Sequence, residues 1–201
     1  MDTRTQVLAA TRREVQQRLA DQGAGHGFDH VLRVLKSARR INEEVGADAF
    51  IVELAVLLHD VGDAKFHRGE ERSGEFSRQI LGGLAVETDV IDHVVHIVDN
   101  ISFRKQAMAE PLSQEGKVVQ DADRLDALGA VGIVRTIEYG AFKGQPFYVP
   151  DDPAAPSGVG HFYEKLFKLS DLMNTAPGKR LALERERFMK EFLERFLDEC
   201  R

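Results

Sequence analysis

The stretch Phe50-Ile-Val-Glu-Leu-Ala-Val-Leu-Leu-His-Asp60 decides how this chain is read. Nine residues, apolar except for Glu53, make a helical segment that buries itself, and it ends on a histidine and a carboxylate side by side. An ordinary core has no reason to deliver two such groups, because burying them is costly unless they bind something. Two further segments supply the same residue types. Upstream lies Gly25-His-Gly-Phe-Asp-His30, and downstream Asp121-Ala-Asp-Arg-Leu-Asp126, which contains Asp123. Two imidazoles and two carboxylates suit a divalent cation such as Mn²⁺, Fe²⁺, Ni²⁺, Co²⁺ or Zn²⁺, with coordination positions left for water and substrate.

Working outward, almost every periodic segment has apolar residues at spacings of three and four with Ala, Leu, Glu, Arg and Lys between them, which predicts an all-α fold of about eight to nine helices. A first helix is expected over about residues 3–20. A second runs from Phe28 to about Val45, with Val31, Leu32, Val34, Leu35, Ala38 and Ile41 inward and Gly46 at its end. Asp48 caps a third, whose buried side is Ile51, Leu54, Ala55 and Leu58, and which stops near Asp60 before Gly62. Further helices are expected over residues 73–84, 87–99, 115–123 and 127–142. Gly140 to Gly160 carries Pro146, Pro150, Pro153 and Pro156 and reads as a long loop, a candidate lid whose Phe147-Tyr148 either covers a base or packs locally. Helices over residues 161–174 and 177–199 follow. Pro177 suits the first turn of the last one, with Leu183, Phe188, Phe192, Leu193 and Phe196 as its core face.

At 201 residues the chain reads as one domain, 1–201, with a motif-bearing core over about 20–130 and C-terminal helices 161–199 packing on it. With 43% hydrophobic and 30% charged residues it is expected to be soluble, and its longest apolar run is too short for a bilayer. The start, Met-Asp-Thr-Arg-Thr-Gln, lacks an export pattern, and the lone Cys200 forms no internal disulfide, so a cytoplasmic setting is expected. A net charge of −6 argues against coating duplex nucleic acid. A homodimer is an admissible assembly.

In order and interval, Gly25-His-Gly-Phe-Asp-His-Val-Leu-Arg-Val34, Leu57-Leu-His-Asp-Val-Gly-Asp63 and Gln120-Asp-Ala-Asp-Arg-Leu-Asp-Ala-Leu-Gly129 resemble the HD-domain superfamily of metal-dependent phosphohydrolases, in its small stand-alone bacterial form. The resemblance implies His30, His59, Asp60 and Asp123 as metal ligands, with Asp121 in reserve, for a divalent ion: Mn, Fe, Ni, Co, Zn or Mg. Asp63 stands three places after the doublet's aspartate, where related enzymes place a catalytic acid. Ala64 replaces the second acid of the alarmone hydrolases, which counts against that activity. His26 is expected to orient the site or donate to a leaving group, and Lys65 to neutralise phosphate. Arg33, Arg124 and Lys165 are the expected substrate contacts. His93 and His96 read as partly exposed or supporting residues.

The implied activity is hydrolysis of a phosphate ester or anhydride in a small phosphorylated compound, foremost a nucleotide, by mono- or pyrophosphohydrolysis. The rivals are a phosphodiesterase for cyclic nucleotides or RNA ends, and a catalytically idle nucleotide- or protein-binding sensor.

Overall fold

The computed structural model of the chain describes residues 2–20, 27–63, 67, 69–102, 110–150, 152 and 155–200; His26, Lys65 and Pro153 fall outside them. Among the described residues there are nine α-helices, one 3-10 helix and no strand, so the all-α expectation holds. The helices are α1 (Thr3–Arg18), α2 (Phe28–Val45), α3 (Ala49–Leu58), α4 (Ser73–Gly83), α5 (Thr88–Asn100), α6 (Gln114–Asp126), α7 (Gly129–Lys143), α8 (Gly158–Glu164) and α9 (Ala176–Glu199), with the 3-10 helix over Leu166–Leu172. None of the described helices is long and apolar enough to cross a membrane. The chain divides into two compact units, Met1–Ala122 and Asp123–Arg201.

In the first unit α3 is the central element, packed against α1, α2 and α5, while α4 lies on α5 and α1. Asp48 caps α3 as expected, its carboxylate accepting from the Phe50 N–H at 2.8 Å. The helix is buried on more sides than its periodicity suggests: Val52, Leu54, Ala55, Val56, Leu57 and Leu58 are all covered, whereas Ile51 is only half-buried. Three neighbours cover most of its circumference, which is why the sequence runs apolar without alternation. Helix α2 is amphipathic. Its buried positions are His30, Val31, Val34, Leu35, Ala38 and Ile41, so an imidazole occupies one place in an otherwise apolar stripe.

The second unit packs α7 on α8 and α9, and the 3-10 helix on α8 and α9. Here the structure departs from the expected boundaries. The helix expected over residues 161–174 is two elements: α8, capped by Ser157 accepting from the Gly160 N–H, breaks at Lys165 and a 3-10 helix follows. Leu166, Leu169 and Leu172 recur every three residues, so the 3-10 winding puts them on one face. The turn between α6 and α7 falls at Gly129, whose φ of +74° is a conformation that disfavours a side chain.

The core face of α9 matches expectation at Leu193, Phe192 and Phe196, the last two packed on Phe147, and departs from it elsewhere. Leu183 and Phe188 are exposed at 45% and 48%, while Leu181, Ala182, Glu186, Met189 and Leu193 are buried. Glu186 interrupts the apolar stripe but keeps its place by pairing with Lys190 at 2.5 Å. The Pro-rich segment shows local packing of its aromatics. Phe147 meets Phe162, Phe192 and Phe196 edge-on with centroids 6.1, 6.4 and 5.1 Å away, and Tyr148 meets Phe196 at 5.7 Å. Backbone bonds from Gly158 to the Pro146 carbonyl and from Val159 to the Phe147 carbonyl fasten the same stretch.

Candidate metal centre

Helix α3 ends at Leu58, and His59 is its C-cap. The carbonyls of a last helical turn have no partner within the helix. His59 uses one of them: its Nδ1–H donates to the Val56 carbonyl at 2.8 Å. A carbonyl only accepts, so Nδ1 carries the proton and the Nε2 lone pair is left pointing away from the helix. His30, in the first turn of α2, brings its own Nε2 to 3.2 Å from that atom. Asp60 closes the triangle, with Oδ2 at 3.5 Å from each histidine Nε2.

Among the described residues this is the group of three or more His, Cys, Asp or Glu that could hold a metal ion. Nitrogen and oxygen ligands stand about 2.0–2.2 Å from a divalent transition metal, which separates neighbouring donors by about 3.0–3.6 Å. The observed edges fall in that interval, so the residues fit a cation. Both histidine side chains are buried, at 2% and 3% exposure, whereas the Asp60 side chain retains 20%. The triangle therefore has one open edge, on the carboxylate side.

The turn that follows is clamped. Val61 donates to the Leu58 carbonyl and Asp63 to the Asp60 carbonyl, each at 3.2 Å. Gly62 donates to Ser73 Oγ at 3.1 Å and accepts from the Arg72 N–H at 2.9 Å, joining the turn to the start of α4. A Cβ on Gly62 would lie 2.5 Å from the Arg72 carbonyl carbon and 2.6 Å from the Ser73 nitrogen, both backbone atoms. Gly62→Ala should therefore cost about 1–3 kcal/mol and shift Asp60, lowering metal retention as well as the urea midpoint. A variant with wild-type values for both would show that the turn is not fixed by this approach.

The family model of the HD domain matches residues 27–128, which span the triangle and the Asp121–Asp126 motif. The chain belongs to the HD-domain family. It is 42% identical to the YpgQ protein of Bacillus subtilis over 181 residues, 89% of this chain and 86% of that one. A crystal structure of Bacillus subtilis YpgQ in complex with ADP superposes with a TM-score of 0.84 at 38% identity, covering 98% of this chain and 97% of that chain. An HD-superfamily hydrolase from Bacillus thuringiensis matches at a TM-score of 0.82 and 42% identity, over 98% of this chain and 97% of that chain. The fold is that of the HD-superfamily hydrolases, with His30, His59 and Asp60 as its candidate metal group.

The other residues expected from the HD motifs are placed as follows. Asp63 is half-buried at the end of the clamped turn. Arg33 lies on α2, its guanidinium donating to Asp29 one turn earlier. The three acids on α6 are sorted by burial: Asp121 and Asp126 are covered, at 0% and 2%, and Asp123 is half-buried. Asp126 is paired with Arg135, Arg124 donates to the Leu172 carbonyl, and Arg185 donates to the Leu125 carbonyl. Together these contacts fix the C-terminal end of α6 within the second unit, a function that the sequence pattern around Arg135 and Arg185 did not signal.

Lys165 is half-buried at the break after α8. One turn before it, His161 has a pKa held below the usual histidine value by burial and by the Lys165 charge. His93 and His96 face the segment preceding α6. His93 Nε2 lies 2.9 Å from Ser113 Oγ and 3.5 Å from Glu115 Oε2, and His96 Nε2 lies 3.2 Å from the Pro111 carbonyl. His26 and Lys65 lie outside the described residues.

Proposed function

We propose that this chain is a metal-dependent phosphohydrolase whose substrate is a small phosphorylated compound, foremost a nucleotide. The observation that carries the reading is the triangle of His30 Nε2, His59 Nε2 and Asp60 Oδ2, with edges of 3.2–3.5 Å and the His59 proton parked on Nδ1. Asp123 joins these three as the proposed fourth ligand. The motif match supports it, and so does its partial exposure beside the covered Asp121 and Asp126. A divalent cation held there would polarise a phosphoryl oxygen and acidify water.

The chain's own groups take the remaining roles. Water attacks phosphorus, its proton passes to the Asp63 carboxylate, and the bond from phosphorus to the leaving oxygen breaks. Arg33 and Lys165 keep solvent access and are the proposed phosphate contacts, whereas Arg124 is buried against the Leu172 carbonyl. Lys65 and His26 are proposed on the motif match alone. The nucleotide assignment is supported by the ADP complex of the Bacillus subtilis relative. The net charge of −6 favours a small substrate over duplex nucleic acid.

Mn²⁺-loaded protein assayed against nucleoside mono-, di- and triphosphates, cyclic nucleotides and a generic phosphodiester tests this reading. Metal-dependent release of phosphate or pyrophosphate from the nucleotides is expected, and the product separates mono- from pyrophosphohydrolysis. Release from none of them, with nucleotide still bound, would make the chain a sensor. Asp63→Asn should keep the metal and lower turnover by about a hundredfold or more. Unchanged turnover would remove Asp63 from the proton transfer.

A further inference from the structure

We infer that Ser73, its hydroxyl oriented by Glu71, is a positioning residue of the metal centre: it holds the Gly62 N–H and thereby sets Asp60 against Asp63. The inference rests on His30, His59 and Asp60 holding the metal. Both Glu71 and Ser73 lie outside the three motif segments.

Gly62 is the joint of the turn. It stands two residues after Asp60 and one before Asp63, so a rotation of its peptide would move the ligand and the proposed base relative to each other. Glycine has the most backbone freedom to lose, and the bonds that the turn makes within itself are long, 3.2 Å both for Val61 to the Leu58 carbonyl and for Asp63 to the Asp60 carbonyl. A second grip comes from outside. Gly62 accepts from the Arg72 N–H at 2.9 Å and donates to Ser73 Oγ at 3.1 Å, so consecutive residues at the start of α4 hold both of its backbone groups.

The direction of the hydroxyl is fixed by its single proton. The Gly62 N–H takes a lone pair of Ser73 Oγ, and the proton goes to Glu71 Oε1, 2.5 Å away. A hydroxyl donating to a carboxylate at this distance makes a charge-assisted bond, roughly twice as strong as a neutral one, and it polarises Oγ into a better acceptor. The same carboxylate oxygen accepts from the Ser73 N–H at 3.0 Å. That second bond is sufficient to cap α4; what the hydroxyl adds is the hold on Gly62.

Ser73 is itself anchored. It is 1% exposed, and its carbonyl accepts from Ser77 Oγ at 2.7 Å. The adjoining Gly74 lies so close to Asp99 of α5 that a Cβ there would fall 2.5 Å from Oδ1. The start of α4 is thus fixed from α5, and Ser73 passes that position on to the turn.

Mn²⁺ affinity, read from the electron paramagnetic resonance signal of the free ion, tests the inference without a substrate. Ser73→Ala should bind Mn²⁺ about tenfold more weakly than wild type, as expected when a contact supporting a metal ligand is removed. Glu71→Ala, a change at an exposed position that should leave the fold intact, should shift affinity in the same direction. Glu71→Gln keeps the Oε1 acceptor and should stay within about twofold of wild type. Ser77→Ala removes a buried bond from the same helix without touching Gly62, and should leave Mn²⁺ affinity unchanged. Wild-type affinity in Ser73→Ala, an equal loss in Ser77→Ala, or a Glu71→Gln variant that falls as far as Glu71→Ala overturns the role of Ser73 and leaves the metal centre standing. A wild-type chain that takes up no Mn²⁺ rejects the centre, and the role of Ser73 with it.

Discussion

His59→Ala protein, purified without chelator, should carry almost none of the divalent metal that the wild type retains, and its hydrolytic turnover should fall by a hundredfold or more. The expectation follows from the geometry. His59 contributes one corner of a triangle whose other donors are 3.2 and 3.5 Å away, and its ring is locked by the bond to the Val56 carbonyl. Removing the ring takes away a neutral nitrogen donor and leaves a cavity beside His30, so circular dichroism must accompany the metal analysis. Asp60→Asn supplies the control, because it keeps the volume while removing the charge. It should weaken metal retention by about tenfold or more without altering the helix content. Metal added to chelator-stripped wild type should raise the melting temperature, since a ligand of the native state stabilises it by mass action. Full metal retention by both variants would mean that the triangle is not the binding site.

The largest effect on stability is expected from Arg135→Ala. Asp126 has a side chain only 3% exposed, and the guanidinium of Arg135, itself 21% exposed, is paired with it. Exposed ion pairs contribute little, but removing one member of a buried pair leaves a charge without the cation that neutralised it. The cost should be about 3–5 kcal/mol in urea unfolding. Arg135→Ala with Asp126→Asn should recover part of the loss. A single variant within about 0.5 kcal/mol of wild type would show the pair to be an ordinary surface contact.

Some of these features are legible directly in the residue order. The apolar run before His59, the cap at Asp48 and the end of α2 at Gly46 are local signals, each set by neighbours within a few positions. The HD motifs added the chemistry expected of the three segments, because a shared residue pattern carries a shared arrangement. Other features were hidden for physical reasons. The core face of α9 depends on what surrounds it. Leu193 is buried and Phe192 and Phe196 pack on Phe147 as expected, but Leu183 and Phe188 are apolar yet exposed and Glu186 is charged yet buried with Lys190 as partner, so counting apolar residues placed only part of the face. The break at Lys165 was hidden because α-helical and 3-10 spacings overlap over one or two turns.

The sequence by itself determined that the chain is helical and that it carries histidines and aspartates in the HD pattern, since both are written in local spacing and residue type. Only the tertiary structure decided the rest. It brought His30 and His59, 29 residues apart, to 3.2 Å, and assigned the His59 proton to Nδ1. It also committed Asp126 to Arg135. These are distances and exposures between segments remote in the chain, and no local periodicity encodes them.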